Sequence, residues 1–315
     1  MSEQILISIC IPAYKRIDHL KRLLDSIRIQ LFKNFEVIVT DDSPAGEVGV
    51  LCEQYKEHFP LIYHRNAHPL GTPENWNESI RRANGKWIKL MHDDDWFTAE
   101  DSLGVFADTA TAHPSASFIF SAYRNVSLET EKTEDIFVDN FRLKMLCKNP
   151  ASLVSRNVIG PPSVILHKND RRALYDNKLK WLVDIDFYMR SLAGRKPVYI
   201  DRILVNVGTG EFQVTTDCFR LRPVEIPENF YLLNKTGTRQ LRNILVYDAW
   251  WRLMRNLQIT READIVESGY TGRIHPALSS MIRFQRVLPS FVLSRGGFSK
   301  SFMFLHYLLH YRSIR

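Results

Sequence analysis

The chain has 315 residues, 45% hydrophobic and 24% charged, a globular balance that excludes a disordered or fibrous protein. Its four cysteines (Cys10, Cys52, Cys147 and Cys218) lie far apart with no CxxC pair. That excludes a zinc module or disulfide scaffold and points to a reducing compartment. The net charge of +7 sits in the tail: the last acid is Glu267, and the Lys and Arg residues beyond it supply the whole excess, which suggests an anionic partner.

The N-terminus runs from polar residues straight into a strand-like stretch, so no signal peptide is expected. No apolar run approaches the roughly 20 residues of a membrane span. Ile5–Ile11 reads as a strand ended by Pro12. Ile17, Leu20, Leu23, Leu24 and Ile27 then share one face at helical spacing. Phe35–Thr40 is a second strand, ending in the acidic turn Asp41-Asp42-Ser43-Pro44. A helix over Glu47–Glu57 and a strand over Leu61–His64 follow. Thr72 is the expected N-cap and Pro73 the first position of a helix running to Ala83, with Gly85 ending it. The apolar run Trp87–Leu90 is a buried strand, and Ser117–Ala122 another. This alternation predicts a parallel, doubly wound sheet. No GxGxxG and no GxxxxGK[ST] occurs, against dinucleotide and P-loop readings.

Leu128–Asn149 is polar and mixed in charge, with no readable period. Gly160-Pro161-Pro162-Ser163 is a rigid turn before a short strand, Val164–Leu166. Trp181–Leu192 has a helical apolar pattern, with Asp184 and Asp186 near its start, where the helix dipole favours acids. Pro197–Val207 reads as a strand and Gly208–Pro227 as a looser segment. Beyond Phe230 the pattern is helical and rich in Trp, Leu and Arg.

Three aspartates, Asp93, Asp94 and Asp95, follow the strand at Trp87. In open α/β sheets, ligands bind outside the carboxyl ends of strands. Adjacent carboxylates repel unless a cation holds them, and hard oxygen ligands suit Mg²⁺ or Mn²⁺, which usually carry phosphates too. One reading is a divalent metal gripping a diphosphate. The other is a solvated acidic turn before a helix.

Ser8–Arg16, Val37–Ser43, Asn75–Gly85 and Asp93-Asp94-Asp95, in that order and each at a strand end, resemble glycosyltransferase family 2. The resemblance covers roughly residues 5–215. It implies the GT-A fold, a Rossmann-like α/β architecture with a mostly parallel central sheet flanked by helices, here with a mainly helical C-terminal extension. The implied organisation is a catalytic domain over 1–227 (nucleotide-sugar half 1–125, acceptor and base half 126–227) and a helical, basic region over 228–315. The implied activity is inverting transfer from a nucleotide sugar, a UDP-sugar first, with Mn²⁺ or Mg²⁺. The implied acceptor is a glycan or a polyprenyl-diphosphate-linked glycan in bacterial O-antigen, capsule or other surface-polysaccharide synthesis.

By the same resemblance, Pro12, Ala13 and Tyr14 line the nucleotide pocket and Arg16 reaches the diphosphate. Asp42, or its neighbour Asp41, accepts a hydrogen bond from the base. Asp95 most resembles the metal ligand, with Asp93 as a second. Asp93 and Asp94 also resemble the residues near ribose and sugar. The family often has an acid where His92 stands, and His92 reads as a packing or supporting residue. Val183–Arg190 matches the motif of the catalytic base, with Val183 replacing its first acid. Asp184 is the expected base and Asp186 the weaker candidate. The metal-site His that many members carry after the last sheet strand is missing, so either Glu211 substitutes for it or metal binding rests on Asp95 alone.

Two rivals use the same features. A metal-dependent nucleotidyltransferase or phosphohydrolase also clusters aspartates. A nucleic-acid-binding protein would use the basic tail, but no zinc finger or RNP-like motif appears and the cations are sparse among apolar residues, so no nucleic-acid partner is expected. In that tail, Phe302–Leu309 is apolar on nearly every side and flanked by Lys300, Arg312 and Arg315. The expected partner is an anionic membrane surface, with the protein cytoplasmic and peripheral at the inner face of the plasma membrane. The alternative is a helix packed on the catalytic domain or, in a homodimer, on a second subunit.

Overall fold

The computed structural model describes residues 4–170, 173–210 and 218–314. Strands β1 (Ile7–Ala13) and β2 (Phe35–Asp41) are buried almost throughout, as strands covered on both faces must be. With β3 (Leu61–Arg65) and β4 (Trp87–Leu90) they pair in parallel. The amphipathic helices α1 (Ile17–Arg28), α2 (Glu47–Glu53) and α3 (Glu74–Arg81) connect them. Leu20, Leu23, Leu24 and Ile27 form the buried stripe of α1, as their spacing requires.

Beyond β4 come β5 (Trp96–Phe97), α4 (Ser102–Ala112), β6 (Phe118–Ser127), β7 (Thr133–Ile136), α5 (Asn140–Lys148), β8 (Ile165–Lys168), α6 (Val183–Ser191) and β9 (Val198–Thr209). The strand order is β3-β2-β1-β4-β8-β6-β9-β5, with β7 on β6. β8 runs antiparallel between β4 and β6, while β6 and β9 are parallel. The result is the expected mainly parallel α/β sheet.

Several boundaries differ from the sequence reading. Pro73, not Thr72, is the N-cap of α3. The carbonyl of Gly71 accepts from Asn75 N at 2.8 Å, so the backbone does the work expected of the Thr72 side chain. Helix α2 stops at Glu53, and the chain continues in i→i+3 turns such as Tyr55 N to Cys52 O at 3.1 Å. β6 continues five residues past Ala122 because a register shift there lets its polar half pair with β9. The segment without a readable period holds β7, a solvent-facing edge strand pinned by Arg124 on Asp135, and α5, which buries little beyond Leu146. Both elements lack the large buried face that makes a pattern legible.

The chain divides into two compact units, Met1–Cys147, Val158–Asn177 and Asp186–Gln213 in the first, Lys148–Asn157, Lys178–Ile185 and Val214–Arg315 in the second. The first holds the sheet. The second holds helices α7 (Arg222–Thr236), α8 (Ile244–Asn256), α9 (Glu262–Glu267), α10 (Pro276–Val287), α11 (Ser290–Ser294) and α12 (Gly296–His310). Asn243 caps α8 by accepting from Leu245 N at 3.0 Å. Phe230 of α7 packs edge-on against Trp250 of α8. Trp251 donates from Nε1 to Ser299 Oγ at 3.0 Å, and Tyr247 Oη lies 2.7 Å from His306 Nδ1, which seats α12 on α8. The tail helix is therefore not apolar all round: Ser299, Met303 and His306 face inward. Among the described residues, no helix is long and apolar enough to cross a membrane.

Candidate active site

β1 and β2 run in register from Ile7 opposite Phe35 to Ala13 opposite Asp41, so both deliver residues to the same carboxyl edge of the sheet. Met91 N bonds to Cys10 O at 2.9 Å, which carries the chain after β4 to that edge. Pro12 and Ala13 end β1, and Tyr14 stands 48% exposed beyond them. Lys15 turns the chain through a positive φ of 64°, and its N–H donates to Ser43 Oγ at 2.8 Å.

The acidic turn after β2 organises its surroundings. Asp41 is fully buried and accepts from Ser43 N and Tyr63 Oη, each at 2.8 Å. Asp42 accepts from Asn66 Nδ2 at 2.7 Å, Leu70 N at 3.0 Å and Gly71 N at 2.8 Å. A carboxylate has about four acceptor directions. Asp42 thus keeps one after holding the loop, and it retains slight exposure where Asp41 has none.

The aspartate triplet is buried. Asp94 Oδ2 takes Arg16 Nη1 at 3.1 Å, and Asp93 Oδ1 lies 3.6 Å from Arg16 Nη2. Asp95 Oδ1 accepts from Gly208 N at 3.0 Å. Gly208 has no room for a side chain, since a Cβ there would come within 2.4 Å of Asp94 O. Arg22 lies over the Trp96 ring at 3.8 Å and donates to Asp94 O at 3.3 Å. His92 packs on Trp76 with ring centroids 4.7 Å apart, and its backbone N–H donates to Ser163 Oγ at 2.9 Å.

The charges here are unbalanced. Burial pushes the Asp93 carboxyl up to about 7, against the pull of Arg16. Burial, then the charge of Asp94, holds Asp95 well above the carboxylate range. Beneath them the buried Lys89 ammonium donates to the Ser163 carbonyl. Burial brings Lys89 down to about 7 despite the attraction of Asp95. Both partners are driven toward neutrality, so desolvation outweighs their mutual attraction. An added cation would reverse that balance for the acids.

Ligand atoms of His92, Asp94 and Asp95 all lie within 4.8 Å of one another. His92 Nε2 is buried and, among the described residues, has no hydrogen-bond partner. Two carboxylates with an unengaged imidazole nitrogen fit a divalent first-row ion such as Mn²⁺. Of the two expected metal ligands, Asp95 belongs to this group; Asp93 turns to Arg16 and to the backbone of Tyr14. Glu211 lies outside the described residues.

In the second unit, Asp184 stands in the first turn of α6 with Oδ2 held by Asn157 Nδ2 at 2.9 Å and Oδ1 by Ile185 N at 2.8 Å. Burial outweighs these bonds and lifts its carboxyl to about 6, near where a general base works best at neutral pH. Glu228 anchors the approach to that helix. Its carboxylate accepts from Lys180 N at 2.8 Å and from Trp181 N and Leu182 N, each at 2.9 Å. Asp186, by contrast, is fully buried and bound to Arg190 Nε at 2.8 Å.

Sequence reasoning missed Ser163, Gly208, Lys89 and Glu228. The first lies in the rigid Gly160–Ser163 turn, read there only as a turn. The other three carry no local signal, because their partners are distant in the chain.

Glycosyl transferase family 2 matches residues 8–172, more than half the chain. An uncharacterized glycosyltransferase of Haemophilus influenzae is 33% identical over 36% of this chain and 38% of its own length. Abequosyltransferase RfbV of Salmonella typhimurium is 35% identical over 32% of this chain and 31% of its own. The chain thus spans about a third of these curated relatives. Among solved structures, S. aureus TarS in complex with UDP-GlcNAc superimposes with a TM-score of 0.59 at 14% identity, covering 80% of this chain and 81% of that one. Mannosyltransferase PcManGT of Pyrobaculum calidifontis, in complex with GDP-Man and Mn²⁺, gives 0.56 at 12% identity over 99% and 87%. These likenesses identify the fold.

Proposed function

The chain belongs to glycosyl transferase family 2, and from that premise we propose that it transfers a sugar, with inversion, from a nucleoside-diphosphate sugar to a hydroxyl acceptor. The observation that carries this reading is the convergence of His92, Asp94 and Asp95 beside Arg16 at the carboxyl edge of β1 and β4. UDP-GlcNAc and GDP-Man, held by the two similar structures, support a nucleotide-sugar donor, and a UDP-sugar is the first choice. A glycan or polyprenyl-diphosphate-linked acceptor, in surface-polysaccharide assembly, agrees with the abequosyltransferase relative.

In this reading Pro12, Ala13 and Tyr14 flank the nucleoside, and the remaining acceptor direction of Asp42 takes an N–H of its base. The Arg16 guanidinium turns from the aspartates toward the diphosphate, where planar, charged hydrogen bonds suit phosphate oxygens. His92, Asp94 and Asp95 would hold a divalent cation, which would supply Lewis-acid stabilisation of negative charge on the leaving diphosphate. Asp184 takes the proton from the acceptor hydroxyl as its oxygen attacks the anomeric carbon. The bond from that carbon to the diphosphate oxygen breaks, and a single displacement inverts the centre.

A donor panel tests the proposal by thermal shift and nucleoside diphosphate release, with Mn²⁺, Mg²⁺ or EDTA. One UDP- or GDP-sugar should raise Tm in the presence of metal, since a ligand stabilises the state it binds. Asp95→Ala should abolish the shift and lower turnover by about 10³-fold, the equivalent of several kcal/mol of charge stabilisation. Full activity of that variant in excess EDTA would reject the metal-assisted reading.

A further inference from the structure

We propose that α10 to α12 of the second unit form a seat for an anionic lipid surface. This goes beyond the transferase reading and stands whether or not that reading holds. Helix α12 has two unlike sides. Ser299, Met303 and His306 are buried against the rest of its unit, whereas Phe304, Leu305, Leu308 and Leu309 are each about half exposed or more. Phe304, Leu305 and Leu308 fall at i, i+1 and i+4, on the side opposite the buried one. Val287 and Phe291, just before this helix, are also exposed, the former to 71%. Exposed apolar residues scattered singly need no explanation, but several gathered on one helix face and its approach do.

Charge selects the occupant. Arg283, Arg286, Arg295, Lys300 and Arg312 are interleaved with these apolar side chains, and no acid follows Glu267. Arg283 has Glu262 at 3.8 Å; the other four are exposed and make no ion pair among the described residues. A second copy of the chain, meeting this face with its own, would oppose cation to cation with no acid from the segment between them. A lipid surface satisfies both sets at once: the acyl boundary takes the Phe and Leu side chains, and anionic headgroups take the Arg and Lys.

The test is flotation of the full chain with vesicles of phosphatidylcholine alone and of phosphatidylcholine with phosphatidylglycerol, at low and raised salt, alongside sedimentation velocity. Helix α10 supplies buried Leu278, Met281 and Ile282, so exposed-residue variants are used rather than a truncation. The protein should float with the phosphatidylglycerol vesicles at low salt, and raised salt should weaken this. The variant Arg295→Gln, Lys300→Gln, Arg312→Gln should bind about 10²-fold more weakly, roughly fivefold per charge. The variant Leu305→Ser, Leu308→Ser, Leu309→Ser should also lose binding while keeping its Tm. Failure of the native chain to float at low salt would overturn the proposal, as would equal binding to both vesicle types or equal binding by the charge variant. A dimer that the leucine variant dissolves would assign the face to a subunit interface instead.

Discussion

The strand edge of the sheet unit and the tail of the helical unit handle polarity in opposite ways. The sheet unit buries its charge: Asp41, Asp42, Asp93, Asp94, Asp95 and Lys89 are all buried. Backbone N–H groups, Arg16 and Ser163 hold the acids in place without neutralising all of them. The helical unit keeps its tail cations at the surface and leaves Phe and Leu side chains beside them. Burying like charges at a strand edge costs stability unless a ligand or ion restores the balance. Exposing apolar and basic groups together costs little but is satisfied only by a partner offering both chemistries. The first arrangement suits a small, highly charged ligand and the second an extended surface.

The sharpest way to break this comparison is at Asp184, the one acid of the helical unit given a chemical task. Asp184→Asn should lower turnover by roughly 10²-fold or more and leave the donor-induced Tm shift intact. In the native protein, kcat should rise with pH and level off above about 6, because burial raises the Asp184 carboxyl to about 6 and only the ionised form accepts a proton. If Asp186→Asn is the inactive variant and Asp184→Asn is active, the base has been placed one helical step too early.

A smaller effect is expected at Glu228, whose carboxylate collects three backbone N–H groups ahead of α6. Glu228→Gln replaces one acceptor oxygen with a donor and leaves at least one buried N–H unpaired. The cost should be about 2 kcal/mol, read as a lower Tm. Faster amide exchange at Lys180, Trp181 and Leu182 would locate the effect, and unchanged exchange there would remove Glu228 as the anchor.

A third test asks whether the units respond alike to acid. Each buries a histidine, His167 in β8 and His306 in α12, and burial lowers both to about 4. An unfolded histidine titrates near 6.5, so between those values the unfolded chain binds more protons. Stability is then complete above about pH 6.5 and is lost as pH falls toward 4. His167→Gln should flatten the fall of Tm across that interval. An equally steep fall in the variant would assign the acid sensitivity to other groups.

The sequence by itself determined the parts whose information is local. The apolar period of Ile17, Leu20, Leu23, Leu24 and Ile27 specified α1, and continuous apolar runs specified β1, β2 and β4, because burial on one or both faces leaves a direct periodic trace. The placing of Asp93, Asp94 and Asp95 past a strand end was also legible, since chain order alone puts them there. Tertiary structure decided the rest. It inserted β8 antiparallel between β4 and β6, a pairing set by contacts across more than forty residues of chain. It put Ser163 and Gly208 against the aspartates and grouped His92 with Asp94 and Asp95 while Asp93 turned to Arg16. Of three neighbours in sequence, Asp93 and Asp94 thus came to share Arg16, while Asp95 took the Gly208 N–H. A loop has no fixed side-chain period, so the direction of each carboxylate is set by the hydrogen bonds that distant segments bring to it.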